Sequence, residues 1–394
     1  MKLLWVKTDF LHPTTRGGQI RTLEMVKRLH RRHEVHYVAF EDPDHPEGLA
    51  RAGEYASFYY SVPHRLPKKR SLAFAKWLFQ GLWDELPVAV MGYRSGLMRR
   101  RIEQLQDKER FDAIVCDFLF PAPNIPDLAS CVLFQHNVEA LIWQRHVEHA
   151  KTPLHRWYFR LQAERMAAYE GEVCRRVKRV IAVSENDARM MERNYQLDKV
   201  GDVPTGVDVD YFRPPAQTEP RYDLIFLGSM DWMPNIYGAQ WFCDRILPLI
   251  RRKRPECTLA LVGRKPVAEM TALAAADPRI TVTGTVPDVR PWLHGARVSI
   301  VPLRIGGGTR LKVFEAMAAG VPTVSTTVGA EGLDVRDGEN IRLADEEEQF
   351  AEACLELLED DAARARMAAA GQQLVASRYS WEVATEQFER WLDS

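Results

Sequence analysis

Short apolar runs that end at glycine or a polar turn alternate with amphipathic helical stretches along this chain, and they do so in two series. KLLWV, a helical pattern over 18–31 and VHYVAF open the first series, which continues through FDAIVCD, CVLFQHN and VKRVIAVS. DLIFLG, a helical pattern over 236–253, CTLALVG, ITVTG, VSIVPL, a helical pattern over 311–319 and VPTVST form the second. Strands separated by helices pair in parallel, so each series predicts an α/β unit built on one parallel sheet. A chain of 394 residues also exceeds what one hydrophobic core usually supports. The segment 204–220 is rich in proline and polar residues and reads as the connection. The expected division is 1–213 and 214–376, with a last amphipathic helix in 377–394 that crosses back to the first domain. A cleft between two such domains is the default ligand site.

Bulk properties narrow the function. Lysine plus arginine number 53 against 54 aspartates plus glutamates, a net charge of -1, which argues against a nucleic-acid binder. The six cysteines show neither close pairing nor metal-ligand spacing and read as reduced, buried thiols. MKLLWVKTDF runs straight into a strand and lacks a small-residue cleavage site, and no apolar stretch approaches a membrane span. These features predict a cytoplasmic protein. Residues 64–101 interleave cations with Trp77, Phe79, Trp83 and Leu97, as helices at a membrane interface do, so the expected location is the inner face of an anionic membrane.

Four stretches carry chemistry. In HPTTRGGQIR, Gly17 and Gly18 lie between the first strand and the first helix, where the backbone can approach a ligand; Arg21 follows one turn later, ready for an anion or for solvent. The spacing is not that of a dinucleotide fold. Asp117 and His136 each end a strand that points into the crevice of an open sheet, and His136 is a candidate general base or sugar-hydroxyl contact. In RIGGGTRLKVFEAMAAG, Gly306, Gly307 and Gly308 precede a helix beginning near Thr309. The N–H groups of Thr309, Arg310 and Leu311 would then meet a diphosphate at a positive helix end, with Arg310 and Lys312 adding charge. Glu315 lies in the apolar run VFEAMAA, where a carboxylate is costly unless it is used.

Taken in order, GGQIR, HNVE, VIAVSENDA, VPTGVDVDYF, FLGSMDWMPN, LALVG, ITVTGTVPDV, VPLRIGGGTRLKVFEAMAAGVPTVST and SWEVATEQF resemble the family 4 retaining glycosyltransferases over most of the chain. The resemblance implies the GT-B fold of two facing Rossmann-like domains and transfer of a sugar from a nucleotide-sugar donor to an acceptor hydroxyl with retention. By it, Glu315 matches the second glutamate of the E-x7-E motif, a ligand of the donor ribose. Gly307 stands where the first would be. The loop GSMDWMPN carries no cation where the family often has an arginine and a lysine, so Arg310 and Lys312 are the expected replacements. Gly228, Asn235, Gly263, Arg264 and Val286 fall where the family binds donor, Arg264 being placed to stack on the base. His136 matches the family's histidine near the donor sugar. Such enzymes work without a protein nucleophile, cofactor or metal, the leaving diphosphate helping to deprotonate the acceptor. The Asp208 and Asp210 pair, with metal-motif spacing, reads as structural. The implied partners are a nucleotide sugar and a sugar, glycan or lipid-linked acceptor, in polysaccharide or glycoconjugate synthesis. A sugar-nucleotide 2-epimerase on the same fold, or an inactive nucleotide-sugar binder, are the alternatives.

Overall fold

The computed structural model describes residues 1–14, 17–67, 71–148, 150, 152–215, 218–305 and 311–393. They divide into two compact units, one made of Met1–Pro204 with Ala384–Ser394 and the other of Thr205–Val383.

The first unit holds a seven-stranded, wholly parallel sheet of strands β1 (Lys2–Val6), β2 (Glu34–Glu41), β3 (Phe58–Pro63), β4 (Ala113–Asp117), β5 (Cys131–Gln135), β6 (Arg179–Ala182) and β7 (Gly201–Asp202), in the order β3-β2-β1-β4-β5-β6-β7. Strands such as LLWV and AIVCD are buried along their length, which is why they read as continuous apolar runs rather than alternating ones. The chain winds outward from β1 to β3 and then resumes on the other side of β1 with β4. At such a reversal the loops beyond neighbouring strands diverge and leave a crevice at their carboxyl ends. Lys7 and Asp117 stand there.

The second unit repeats the logic with β8 (Tyr222–Leu227), β9 (Leu259–Val262), β10 (Ile280–Val282), β11 (Ala296–Val301), β12 (Thr323–Ser325) and β13 (Arg342–Leu343), in the order β10-β9-β8-β11-β12-β13 and again all parallel. Its reversal lies between β8 and β11, so Gly228 and the loop after Val301 flank the crevice. The helical pattern over 236–253 is not one helix. A π-helical turn, Phe242–Ile246, separates Met233–Trp241 from Leu247–Lys253, just before Pro248, which has no N–H to continue the ladder.

The connection is shorter than its composition suggests. Val207 and Phe212 are core residues of the second unit, and Val207 exchanges backbone hydrogen bonds with Tyr379 and Trp381. The division therefore falls after Pro204 rather than near Pro214. The last helix, Trp381–Asp393, passes from the second unit into the first. There Phe388 is fully buried against Trp5 and Phe134, with ring centroids 5.6 and 5.0 Å away. No disulfide forms; five cysteines are buried and Cys243 is half-buried.

Candidate functional site

At the carboxyl end of β4 the Asp117 carboxylate is completely buried and organises the first unit's crevice. Its Oδ2 accepts hydrogen bonds from Trp5 Nε1 at 2.9 Å and Thr22 Oγ1 at 2.7 Å, and Lys7 Nζ stands 3.1 Å away. His136 Nε2 lies 2.8 Å from the other oxygen. Burial pushes the Asp117 carboxyl up, but Lys7, His136 and the Thr22 hydroxyl together hold it well below the usual carboxylate range. The same burial pushes His136 down to about 4, with Lys7 and Arg21 adding to the effect against the opposing pull of Asp117. His136 is therefore a neutral imidazole near pH 7, and the carboxylate beside Nε2 assigns the proton to that nitrogen. Nδ1 is left as an acceptor.

A stack covers this network. Phe118 adopts a φ of 71°, uncommon for a bulky residue, and lies parallel to the His136 ring at 3.9 Å, with Lys7 Nζ 4.3 Å from its centroid. Gly18 passes so close above that a Cβ there would come within 2.7 Å of Phe118 Cζ and 3.5 Å of His136 Nδ1. Of the two adjacent glycines only Gly18 is required by this approach; a Cβ at Gly17 would meet nothing within 4 Å. Arg21 is not solvated. It is buried beneath the same loop and pushed down to about 9, the nearby carboxylates of Asp187 and Asp117 opposing its desolvation.

Two glutamates complete this region, and neither stood out in the sequence. Glu170, from the helix Pro153–Arg176, reaches the start of the helix Glu139–Glu148 and accepts the N–H groups of Glu139 and Ala140, both at 3.0 Å. Gln135 Nε2 and Tyr195 O–H donate to it as well, each at 2.6 Å. Burial pushes the Glu170 carboxyl up, and these four donors at a helix N-terminus pull against that. Glu139 itself lines a cavity of about 1290 Å³ together with Lys7, Gly18, Phe118 and Asn137. Its position three residues after His136 in HNVE is the signal that could have found it.

In the second unit Lys312, on the helix Leu311–Ala318, turns back to the first strand. Its Nζ donates to Asn235 Oδ1 at 2.7 Å and lies 4.5 Å from the Phe226 ring centroid, while Asn235 Nδ2 donates to the Ser229 carbonyl at 2.8 Å. A Cβ on Gly228 would come within 3.0 Å of that ammonium. The loop GSMDWMPN thus acquires a cation although its own sequence has none. Glu315, one turn along the helix, is half-buried; desolvation pushes its carboxyl up against the pull of Lys312. Gly263 must be glycine, since a Cβ would fall 1.7 Å from the Gly228 carbonyl oxygen. Arg264 is exposed and donates to Ser229 Oγ at 2.8 Å, and Val286 packs half-buried on the core. Leu311 begins the helix. Gly306, Gly307, Gly308, Thr309 and Arg310 lie outside the described residues. Asp208 accepts the Tyr211 N–H and Asp210 pairs with Arg213, contacts of a turn.

Two solved structures share this architecture over the whole chain. Anabaena HepE in complex with UDP superposes with a TM-score of 0.67 at 14% identity, each chain covered completely. Sucrose-phosphate synthase from Thermosynechococcus elongatus gives 0.67 at 16%, covering 100% of this chain and 98% of that one. At such identities the likeness establishes the fold, and the class it defines is that of the GT-B glycosyltransferases. The chain belongs to Glycosyltransferase Family 4, whose profile matches residues 15–211, and the profile of the group 1 glycosyl transferases matches residues 221–360. Among curated relatives, an uncharacterized 44.6 kDa protein in the cps region of Klebsiella pneumoniae is 20% identical over 363 residues, 89% of each chain. The phosphatidyl-myo-inositol mannosyltransferase of Mycobacterium tuberculosis is 29% identical over 227 residues, which span 53% of this chain and 58% of that enzyme.

Replacing Asp117 by alanine would leave the Lys7 ammonium buried without its counter-charge. We expect a loss of about 3–5 kcal/mol in unfolding free energy, measured by urea denaturation. A loss under about 1 kcal/mol would show that the carboxylate does not hold this corner together.

Proposed function

We propose that the protein transfers a hexosyl group, with retention of anomeric configuration, from a nucleotide sugar bound by the second unit to a hydroxyl of an acceptor bound in the cavity of the first. The observation that carries this reading is the joint placement of Lys312 and Glu315. A fixed ammonium beside Gly228 suits a diphosphate, and a half-buried carboxylate one turn further along the helix suits the paired hydroxyls of a ribose. The Arg310 side chain and the amides of Gly307, Gly308 and Thr309 are assigned to the diphosphate on their sequence positions. With two cations available to the leaving group, the reaction needs no metal. His136 Nδ1, an acceptor on a weakly basic ring, suits a hydrogen bond from a sugar hydroxyl better than proton abstraction.

The acceptor belongs to polysaccharide or glycoconjugate synthesis, a reading supported by the names of the relatives. A site at the membrane surface is supported by the helix Leu72–Gln80, which has no buried residue: Leu72 is 91% exposed, and Phe79 and the following Trp83 are 60% and 70% exposed. The basic run Lys68, Lys69 and Arg70 lies outside the described residues. No helix among the described residues is long and apolar enough to cross a membrane.

Turnover with a panel including UDP-glucose and GDP-mannose, and the anomeric configuration of the product by NMR, test the assignment. Glu315→Ala should raise KM for the donor with little change in kcat, the loss of a charge-assisted hydrogen bond costing about 1.5–3 kcal/mol. Wild-type activity should survive EDTA. Normal donor binding by the Glu315→Ala variant, or an inverted product, would refute this reading. For the surface, sedimentation with anionic vesicles should fall when Lys68, Lys69 and Arg70 are changed to glutamate; unchanged sedimentation would rule out a membrane face there.

A further inference from the structure

The cavity beside Gly18 is walled by residues of the first unit alone, so its chemistry is set within that unit. At about 1290 Å³ it exceeds the roughly 300–1,000 Å³ of a site for one small ligand. One wall is a row of rings. Phe118, which covers His136, lies 6.2 Å from Phe120, and Phe120 lies 5.7 Å from Tyr93. Tyr93 is 6.2 Å from Phe40, which stacks on His64 at 4.1 Å. Phe118 is already engaged by His136 and Lys7, and Phe40 is only 4% exposed. Phe120, Tyr93 and His64 are half-buried and line the cavity, so part of each ring is open to it.

The titratable groups that share this lining are mostly carboxylates: Asp9, Glu41, Asp42, Asp44 and Glu139. Asp9 accepts from Gln19 Nε2 at 2.9 Å, Asp42 from the Asp44 N–H at 3.0 Å and Glu139 from Asn137 Nδ2 at 3.2 Å, so these three are oriented. Glu41 and Asp44 are exposed. Among the histidines, His12 is tied to Glu54 and Thr14, His45 lies 3.3 Å from Glu47, and His64 belongs to the row of rings. Burial pushes both His12 and His64 down, so neither brings a positive charge near pH 7. Of the described cations, Lys7 is committed to Asp117 and Arg65 is exposed. A hydrocarbon chain here would take carboxylates out of water without a partner, and a phosphate would meet more carboxylates than cations among the described residues.

We infer that the acceptor held in this cavity is an oligosaccharide, its sugar faces lying on Phe120, Tyr93 and His64 and its hydroxyls donating to the carboxylates. The inference rests on the acceptor assignment made under Proposed function and names the substrate class of that same cavity. A sugar ring has a face of C–H groups that packs on the electron-rich face of an aromatic ring. Its hydroxyls then point outward at the edge, where carboxylates accept them in charge-assisted hydrogen bonds. Successive rings along one wall suit successive sugars of one chain, and a single sugar would leave most of the row uncovered.

The test uses the full chain, a donor that the wild type turns over, and acceptors of one to three residues in matched series built from mannose, glucose or galactose. From the monosaccharide to the trisaccharide of the accepted series, kcat/KM should rise by at least about tenfold, mainly through KM. Phe120→Leu and Tyr93→Leu keep apolar volume but remove the ring. Each should raise KM for the trisaccharide about 3- to 10-fold and shrink the preference for the longer acceptor, while Phe120→Tyr retains it. A fall in kcat shared equally by every acceptor would mark these rings as structural and overturn the inference. So would a wild type that uses the monosaccharide as well as the trisaccharide, or a preference that survives both leucine variants. Transfer only to phosphatidylinositol vesicles or to water would also overturn it, while leaving the glycosyl-transfer reading intact. Absence of turnover by the wild type with every donor would instead defeat that reading.

Discussion

The buried Asp117 carboxylate is the interaction on which the first unit's crevice depends. Removing a carboxylate and an ammonium from water costs several kcal/mol per ion, and attraction offsets this only when the remaining lone pairs are also satisfied. Here Oδ2 is met by an indole N–H, a threonine hydroxyl and the Lys7 ammonium, and the imidazole stands 2.8 Å from Oδ1, so one carboxylate ties β1, β4, the end of β5 and the first helix together. Its consequences reach the cavity, which Phe118 and Gly18 line. The carboxylate lies beside the His136 ring, which burial keeps neutral against its pull, the imidazole supports Phe118, and Phe118 leaves room above it only for the glycine at 18.

The second unit reaches a comparable result by different means. Its sheet reverses at the equivalent place, but the charge there is an ammonium lent by a later helix, held by Asn235 and shielded on one side by Phe226. The close approach of Gly263 to the Gly228 carbonyl brings the ends of β8 and β9 together, and the Ser229 and Arg264 side chains join the loops beyond them. The two units share one winding rule and differ in electrostatics: a carboxylate–ammonium network under an apolar stack in the first, an ammonium held by Asn235 in the second. The proposed transfer, from a diphosphate leaving group to a hydroxyl-bearing acceptor, would use this difference.

Much of this was legible because buried parallel strands and crossover helices leave unmistakable patterns, and because ligands gather where such sheets reverse. Asp117, His136, Gly18 and Lys312 were singled out as candidates from their positions at strand ends or helix starts, and Glu315 from its apolar helical surroundings. What escaped depends on contacts far apart in sequence. Lys7 carries no local signal of its role, because it is buried against a carboxylate 110 positions away. The surroundings of Glu139 are set by Glu170, whose capture of the helix amides has no local signature. The edge strand Phe58–Pro63 is largely exposed and ends in proline, so it lacked an apolar run. The segment after Pro204 looked like a linker because of its prolines, yet its Val207 and Phe212 belong to a core.

If the Asp117 network governs this surface as described, His136 carries its single proton on Nε2 across the whole neutral range. Nitrogen-15 NMR of the histidine-labelled protein reads this directly, the His136 signals being assigned by comparison with a His136→Asn variant. The account predicts a neutral Nε2–H tautomer from pH 8 down to pH 5, with protonation beginning only towards about 4. A His136 that titrates near 6.5, or one that populates both neutral tautomers, would contradict it.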